Sequence, residues 1–191
     1  HSEARLAGRQ LQAQRRGYMA AVAVIDIDHF KYVNDGIGHG IGDRLLQEVA
    51  RRLAGYVRHG DTVARMASDE FVVVLSEVAD EGYVSEVLER IQKLIAAPLV
   101  FDEHELLLTC SIGVGLFPRD GGDAATLLQN ADAAMHRAKA AGRNQFQFFT
   151  ADINRAVGAR LALEKQLRRA VEAEQLRLYL QPQVDLQSGA I

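Results

Sequence analysis

The sequence is short of the features that mark secreted and membrane-spanning proteins. Its 191 residues include one cysteine, no tryptophan and three prolines. The single cysteine, Cys110, excludes an internal disulfide, and its position inside an apolar run predicts a small buried side chain. No apolar run approaches the roughly 18 residues that a membrane span needs, and the amino terminus carries no signal-peptide pattern. We therefore expect a cytoplasmic protein with no membrane contact within this chain.

An excess of positive charge is also missing. The 22 Lys and Arg residues against 25 Asp and Glu residues give a formal net charge of −3. Without a global basic field we expect neither DNA nor RNA as a partner, so an anionic ligand needs a local site. With 48% hydrophobic and 25% charged residues the chain is not disordered, and its length suits one core with a fragment of another.

What the sequence has in abundance is alternating strand and helix patterns. A polar helix is predicted over residues 1–17, and the glycines between 36 and 42 predict a flexible loop. The remaining periodic segments predict strands at 19–27, 62–66, 71–75, 106–109, 111–116 and 145–149, and helices at 29–34, 41–58, 83–97 and 124–141. This order predicts an α/β sandwich, with a mixed central sheet of about five strands flanked by helices.

The pattern changes near residue 150. A long charged helix is predicted over Asp152–Ala173, followed by the start of a strand at Leu176–Leu180. We expect one domain over residues 1–150, a linker helix over 151–173 and the opening of a second domain over 174–191.

Two of the apolar runs end in acidic residues. The strand pattern at 19–27 leads into Asp26 and Asp28, and the predicted hairpin of 61–75 carries Asp69 and Glu70 at its tip. If these runs are neighbouring strands, Asp26 meets Asp69 or Glu70 at one end of the sheet. Clustered hard oxygen ligands of this kind suit Mg²⁺ holding a nucleotide triphosphate. Taken singly, the acids are equally consistent with solvated turns, and Asp28 with a helix N-cap.

Polar and basic residues nearby permit a functional and a structural interpretation. Asn34, His39 and Asp43 are consistent with turn residues, but an amide and a carboxylate could also pair with the edge of guanine. Lys139 and Arg143 stand four residues apart where a helix ends, so a shared face could grip phosphate oxygens. A cationic helix terminus favoured by the macrodipole explains the same pair.

Five blocks, taken in order, resemble the GGDEF family of diguanylate cyclases. They are Asp-Ile-Asp-His-Phe-Lys-Tyr-Val-Asn-Asp at 26–35, Gly-His-Gly-Ile-Gly-Asp at 38–43, Arg-Met-Ala-Ser-Asp-Glu-Phe at 65–71, Ser-Ile-Gly-Val at 111–114 and Ala-Asp-Ala-Ala-Met-His-Arg-Ala-Lys at 131–139. This resemblance covers about residues 4–149 and implies a fold similar to nucleotide cyclases and polymerase palms. Residues 163–191 resemble the first strand region of an EAL phosphodiesterase domain. We therefore expect a tandem GGDEF–EAL parent protein, cut at the start of its EAL domain.

The resemblance also implies roles for individual residues. One domain would bind one GTP, and two domains of a homodimer would face each other to form cyclic di-GMP and pyrophosphate. Asp26, the Ile27 carbonyl and Asp69 would hold Mg²⁺. Glu70, a candidate for taking the hydroxyl proton, would form the catalytic group with Asp69 and Lys31. The GTP-binding residues implied by the match are Phe30, Lys31, Asn34, His39, Asp43, Ala67, Ser68, Lys139 and Arg143.

A second ligand site is implied by Arg58 and Asp61. Their spacing is similar to that of the RxxD product-inhibition site of the family, where an arginine can stack on and fork onto a guanine of cyclic di-GMP. The structural alternative is a surface ion pair worth well under about 1 kcal/mol.

The signature departs from the family at its paired glycines, which are Ala67 and Ser68 here. A non-glycine residue with left-handed geometry costs roughly 1–2 kcal/mol. A Cβ at position 68 is also expected to displace the triphosphate, and about 1 Å of displacement costs on the order of 10²-fold in rate. We therefore expect the fold and metal ligands to persist while catalysis is weak or lost.

Three functions stay open on the sequence alone. The first is a regulatory domain that binds GTP with Mg²⁺, or cyclic di-GMP, and acts on the EAL domain. The second is an active cyclase that works as a homodimer. The third is a dimerisation spacer without a ligand.

Overall fold

The computed structural model describes residues 19–101 and 104–151, together with residues 166, 169–171, 173 and 175. The chain divides into two compact units, His1–Asn154 and Arg155–Ile191. The predicted helix over residues 1–17, most of the predicted linker helix and the predicted strand Leu176–Leu180 lie outside the described residues. Within the described part, every helix is too short or too polar to cross a membrane.

In its described residues, the first unit is built on a five-stranded sheet and four helices. Its elements are β1 (Met19–Ile27), α1 (Phe30–Ile37), α2 (His39–Tyr56), β2 (Thr62–Arg65), β3 (Glu70–Val78), α3 (Glu81–Ala96), β4 (Leu99–Phe101), β5 (His104–Leu106), β6 (Cys110–Phe117), α4 (Ala124–Ala140) and β7 (Phe146–Phe148). Two helices precede the β2–β3 hairpin in the chain and two follow it. The strand order is β2-β3-β1-β6-β7, and β4 pairs separately with β5. Only the β6–β7 pair is parallel among the described strands, so the predicted mixed α/β sheet is confirmed.

Strand β1 lies at the centre of the sheet because it is apolar on both faces. Ala23 and Ile25 belong to the larger core, which contains the buried faces of α2 and α3. Val22 and Val24 face the opposite way, into a smaller core beneath α4. The central strand therefore ends at a fixed position between two layers, and packing on both faces holds its last residues, Asp26 and Ile27, in place.

Helix α4 packs directly against β6 through a glycine. A Cβ at Gly113 would overlap the Ala131 carbonyl and lie 2.7 Å from Met135 Cα, so only glycine permits this approach. The helix begins at Asp123, whose carboxylate accepts a hydrogen bond from Thr126 N at 2.8 Å, as the sequence predicted. The position of α4 in turn fixes where Lys139, in its last turn, can reach.

Two predicted segments are wrong. The predicted loop at 36–42 is helical except at Gly38, whose φ of 97° alone separates α1 from α2. The glycines at 40 and 42 lie inside α2, because their conformational freedom does not oblige them to leave a helix. The strand predicted at 106–109 ends at Leu106, where it closes the β4–β5 hairpin. Strands of three residues are too short for an alternating pattern to reveal.

Candidate functional site

Two acidic segments meet at one end of the sheet. Asp26, near the end of β1, lies directly opposite Glu70, the first residue of β3. The ladder continues one step further, because Ile27 N donates to the Asp69 carbonyl at 3.2 Å. The backbone register thus places carboxylates from β1 and from the β2–β3 turn side by side.

Lys139 supplies the positive charge that this edge needs. Its Nζ atom lies 2.6 Å from Asp26 Oδ2, although the two residues are 113 positions apart in the chain (139 minus 26). Asp26 is only 5% exposed. Burial raises the pKa of the Asp26 carboxyl, the Lys139 ammonium opposes that rise, and the negative charges of Asp69 and Glu70 add to it. Burial thus disfavours the charged form of Asp26, and the adjacent Lys139 ammonium stabilises that form.

Asp28 has a structural role different from the predicted N-cap. Its carboxylate accepts hydrogen bonds from Thr109 Oγ1 at 2.7 Å, Ser111 Oγ at 2.7 Å and Asn144 N at 3.1 Å. His29 takes the N-cap position of α1 instead, with a φ of 61° and no side-chain capping bond. Asp28 thus joins β1, β6 and the turn after α4, and no local pattern could reveal partners more than 80 residues away.

The acids and the basic residues share one open pocket of about 170 Å³. Its lining residues are Asp26, Ile27, Asp28, His29, Phe30, Lys31, Asp69, Lys139 and Arg143. Three cationic side chains beside carboxylates form a site that can accept phosphate oxygens together with a divalent cation.

Lys139 and Arg143 reach that pocket from different structures. The predicted shared helix face is wrong, because α4 ends at Ala140 and Arg143 lies in a turn with a φ of 61°. Gly142, with a φ of 118°, ends the helix, and Arg143 N donates to the Ala138 carbonyl at 3.1 Å. The turn therefore redirects Arg143 while keeping it close to Lys139.

The turn that carries the altered signature is unstrained. Ala67 and Ser68 are absent from the positive-φ residues of the described chain, so the expected left-handed cost does not arise. Arg65 closes the turn: its Nη2 donates to Ser68 O at 2.7 Å and its Nε to Ala67 O at 3.2 Å. Ser68 Oγ donates to Asp69 Oδ1 at 2.7 Å. The role of Arg65 was not predicted, because its only signal in the sequence is an arginine next to the turn.

Asn34 and Asp43, which were expected to read guanine, and His39, which was expected to bind GTP, lie on α1 and α2, outside the lining of this pocket. His39 and Asp43 are exposed on the first turns of α2. Asn34 lies on α1, and its Oδ1 atom is buried without a hydrogen-bond partner. It rests against Gly42 of α2, where a Cβ would overlap that oxygen. Asn34 therefore contacts α2 at Gly42, which is the residue before Asp43.

The Arg58 and Asp61 pair is more deeply built in than a surface ion pair. Asp61 is 3% exposed at its side chain, lies 3.3 Å from Arg58 Nε and accepts from Ser76 N at 2.9 Å. Arg58 Nη2 also donates to the carbonyls of Ser76 and Glu77, and its guanidinium lies 5.3 Å from the centre of the Tyr83 ring. The pair therefore links the start of β2 to the end of β3.

A family model described as diguanylate cyclase, GGDEF domain, matches residues 2–145. The chain belongs to the GGDEF family. The resemblance drawn from the five sequence blocks is confirmed.

Relatives and solved structures agree with this assignment. The bifunctional diguanylate cyclase/cyclic di-GMP phosphodiesterase MucR of Pseudomonas aeruginosa is 42% identical over 178 residues, covering 93% of this chain and 26% of MucR. The cyclic di-GMP phosphodiesterase NbdA of the same species is 39% identical, covering 92% of this chain and 22% of NbdA. The crystal structure of the YfiN GGDEF domain, also from that species, superposes with a TM-score of 0.75 at 34% identity, covering 78% of this chain and 92% of that one. The GGDEF chain thus spans about a quarter of the length of MucR and NbdA.

The GGDEF site has donors that fit magnesium only in part. In residues 19–101 and 104–151, no group of three His, Cys, Asp or Glu side chains is placed to hold a metal. The predicted donors are the carboxylates of Asp26 and Asp69 and the Ile27 carbonyl, and all three residues line the pocket. Mg²⁺ in proteins is commonly held by one or two carboxylates plus substrate phosphates, so this donor set fits an ion that arrives with a nucleotide. Lys139 and Ser68 contact these two carboxylates directly.

Proposed function

We propose that this GGDEF domain binds GTP with Mg²⁺ at the acidic end of β1 and β3 and works as a ligand-sensing domain in cyclic di-GMP signalling. Its catalysis is weak or lost, and its output acts on an EAL phosphodiesterase domain of the same protein. The observation that carries the proposal is the buried Asp26 carboxylate paired with Lys139 inside a pocket that three cationic side chains line. Such a pocket recognises polyphosphate with a divalent ion.

The chain's own residues divide the work of binding. Lys31, Lys139 and Arg143 receive the phosphate oxygens, and Arg143 offers a fork of donors that a lysine cannot. Asp26 and Asp69 would hold Mg²⁺, which would neutralise charge on the triphosphate. Lys139 then exchanges one anionic partner, Asp26, for another, the phosphate.

Weak catalysis follows from the signature turn. Cyclase chemistry requires a 3′-hydroxyl oxygen to attack the α-phosphorus, a proton to pass to Glu70 and pyrophosphate to leave. Ser68 presents a side chain where the family has glycine, and its hydroxyl engages Asp69 Oδ1. Both features compete with the alignment of the triphosphate, and small displacements are costly.

An active cyclase is the second candidate, and a specific observation favours it. The turn at Ala67 and Ser68 needs no left-handed residue, so the backbone itself is not damaged by the substitutions. Asp69, Glu70 and Lys31 are all present at the pocket or beside it. Incubating the protein with GTP and Mg²⁺ and separating the products decides this candidate, because an active homodimer yields cyclic di-GMP and pyrophosphate.

A cyclic di-GMP site at Arg58 and Asp61 is also part of the proposal. Because Arg58 already binds two backbone carbonyls and faces Tyr83, the ligand must compete for the same guanidinium. The relatives MucR and NbdA, whose names include cyclic di-GMP phosphodiesterase, make this ligand the natural one to test.

Calorimetric titration tests the proposal directly. We expect heat from GTP only with Mg²⁺ present, and its loss in Asp26→Asn, which keeps the side-chain volume but removes the charge. For cyclic di-GMP, Arg58→Lys is the matched variant, since it keeps the charge and loses the fork. Phosphodiesterase activity of the full-length protein, measured with and without GTP, tests the regulatory output. A protein that gives no heat with either ligand would contradict the proposal and leave the dimerisation spacer as the remaining candidate.

A further inference from the structure

Gly42 stands out because its missing side chain is filled by a polar atom. It is buried in the second turn of α2, and the Oδ1 atom of Asn34 occupies the space that a Cβ would take. The same Cβ would lie 3.1 Å from Asn34 Cγ and 3.3 Å from Phe30 Cζ. Phe30 is buried in the larger core, where the packed neighbours restrict movement of its ring. The Asn34 amide, at the end of a flexible side chain, is therefore the group that would have to move.

The burial of the Asn34 side-chain oxygen is energetically unfavourable, because no contact among the described residues compensates for its lost hydration. It is buried without a hydrogen-bond partner, although buried carbonyl oxygens in proteins are nearly always paired. An unpaired buried acceptor is destabilising, so its presence in a folded protein calls for an explanation. Because the amide is planar, an oxygen held against Gly42 directs the NH₂ group away from it.

We propose that Gly42 is a positioning residue that sets the guanine selectivity of this domain by letting the Asn34 amide lie against α2 with its NH₂ group presented to the base. This inference rests on the proposed GTP function. Guanine offers acceptors at O6 and N7, whereas adenine offers a donor at N6 next to N7. An NH₂ group fixed in place therefore favours guanine, and one that can rotate discriminates less.

The helix provides its own matched control. Gly40 lies in the same helix two residues earlier, and a Cβ there meets nothing within 4 Å. Replacing either glycine by alanine favours the helix equally, because alanine is the better helix former. Any difference between the two variants therefore arises from the contacts of a Cβ at position 42 with Asn34 and Phe30, and an Asn34→Ala background separates these two contacts.

The first test compares nucleotide selectivity. GTP and ATP are titrated with Mg²⁺ into the wild type, Gly40→Ala and Gly42→Ala. We expect Gly40→Ala to keep the ratio of the two dissociation constants. We expect Gly42→Ala to lower the preference for GTP several-fold, since the NH₂ group that donates to guanine O6 loses its fixed direction. Thermal unfolding should show Gly40→Ala raised by about 2–4 °C and Gly42→Ala raised by less, because Asn34 is displaced.

A double-mutant cycle shows whether Gly42 acts through Asn34. In an Asn34→Ala background, Gly42→Ala should cause no further loss of GTP affinity and should raise the melting temperature as much as Gly40→Ala does. This variant also keeps the test open if Gly42→Ala alone folds poorly.

The outcomes separate this inference from the function beneath it. Equal GTP selectivity in Gly40→Ala and Gly42→Ala, with normal binding by the wild type, overturns the role of Gly42 and leaves the GTP function standing. A wild type that binds neither nucleotide overturns the proposed function, and the inference with it. Additive losses of affinity in the cycle would show that Gly42 acts elsewhere than on Asn34.

Discussion

Removing Lys139 is the most direct way to expose the charge balance of the site. In Lys139→Met the counter-charge of Asp26 is lost while a side chain of similar length stays in the last turn of α4. The ammonium lies 2.6 Å from a carboxylate that is 6% exposed at its side chain, and the lysine side chain is 26% exposed. Asp26 is then left buried near Asp69 and Glu70, whose charges repel it.

The size of the effect follows from distance and burial. At 2.6 Å, Coulomb's law with an effective dielectric constant of about 20 to 80 gives an attraction of about 2–6 kcal/mol. Dehydration of the two groups offsets part of that attraction. Breaking a fully buried pair costs about 3–5 kcal/mol, and the partial exposure of Lys139 lowers this value. We expect Lys139→Met to lower the free energy of unfolding by about 1–3 kcal/mol without Mg²⁺.

Urea unfolding with and without Mg²⁺ measures this loss. A divalent cation can replace the ammonium beside Asp26, so Mg²⁺ should stabilise Lys139→Met more than it stabilises the wild type. Lys93→Met is the control, because Lys93 lies in the last turn of α3, away from the site, and should cost below about 1 kcal/mol. A loss no larger than that of the control would refute the importance of the ion pair. A loss that Mg²⁺ does not reduce would refute the cation site.

Three further predictions concern the signature turn, the acid range and the α4 contact. Ser68→Gly and Ser68→Ala both release Asp69 from its hydrogen bond with Ser68. Calorimetry should therefore show that both variants bind GTP with Mg²⁺ several-fold more tightly than the wild type. A gain in affinity confined to Ser68→Gly would show that the Cβ at position 68 is what displaces the triphosphate. Glu48 has its pKa lowered from 4.5 to about 2, chiefly by a hydrogen bond from the arginine three residues later. Its contribution is present above pH 4.5 and is lost towards pH 2, so Glu48→Gln should be less stable than the wild type at neutral pH by under about 1 kcal/mol and equal to it near pH 2 in chemical denaturation. Gly113→Ala should cost about 1–3 kcal/mol or more in urea unfolding because its Cβ meets helix backbone, whereas Gly122→Ala, which meets nothing within 4 Å, should not.

Local patterns were sufficient for the elements that are long and periodic. The apolar run of β1 and the spaced apolar residues of α2, α3 and α4 predicted their existence, because burial of one or both faces imposes a period on the sequence. The cap at Asp123 was predicted for the same reason: its partner lies three residues away. The short β4–β5 hairpin was not, since three residues establish no period.

The family blocks placed the acids in the chain but not their partners in space. That Asp26 is neutralised by Lys139, and that Asp28 is a structural acceptor for Thr109 and Ser111, depends on residues that come together only when β6 and α4 pack beside β1. Sequence spacing carries no information about such contacts, because the chain between them can take many paths.

The amino-acid sequence by itself determined the family, the mixed α/β sheet and the positions of its acidic and basic groups, since these depend on residue type and short-range periodicity. Only the tertiary structure decided which oxygen each cation meets, that Arg65 closes an unstrained turn around Ala67 and Ser68, and that Gly42 makes room for Asn34. These features arise where separate elements come within a few ångströms of each other, and close packing makes such contacts sensitive to single atoms.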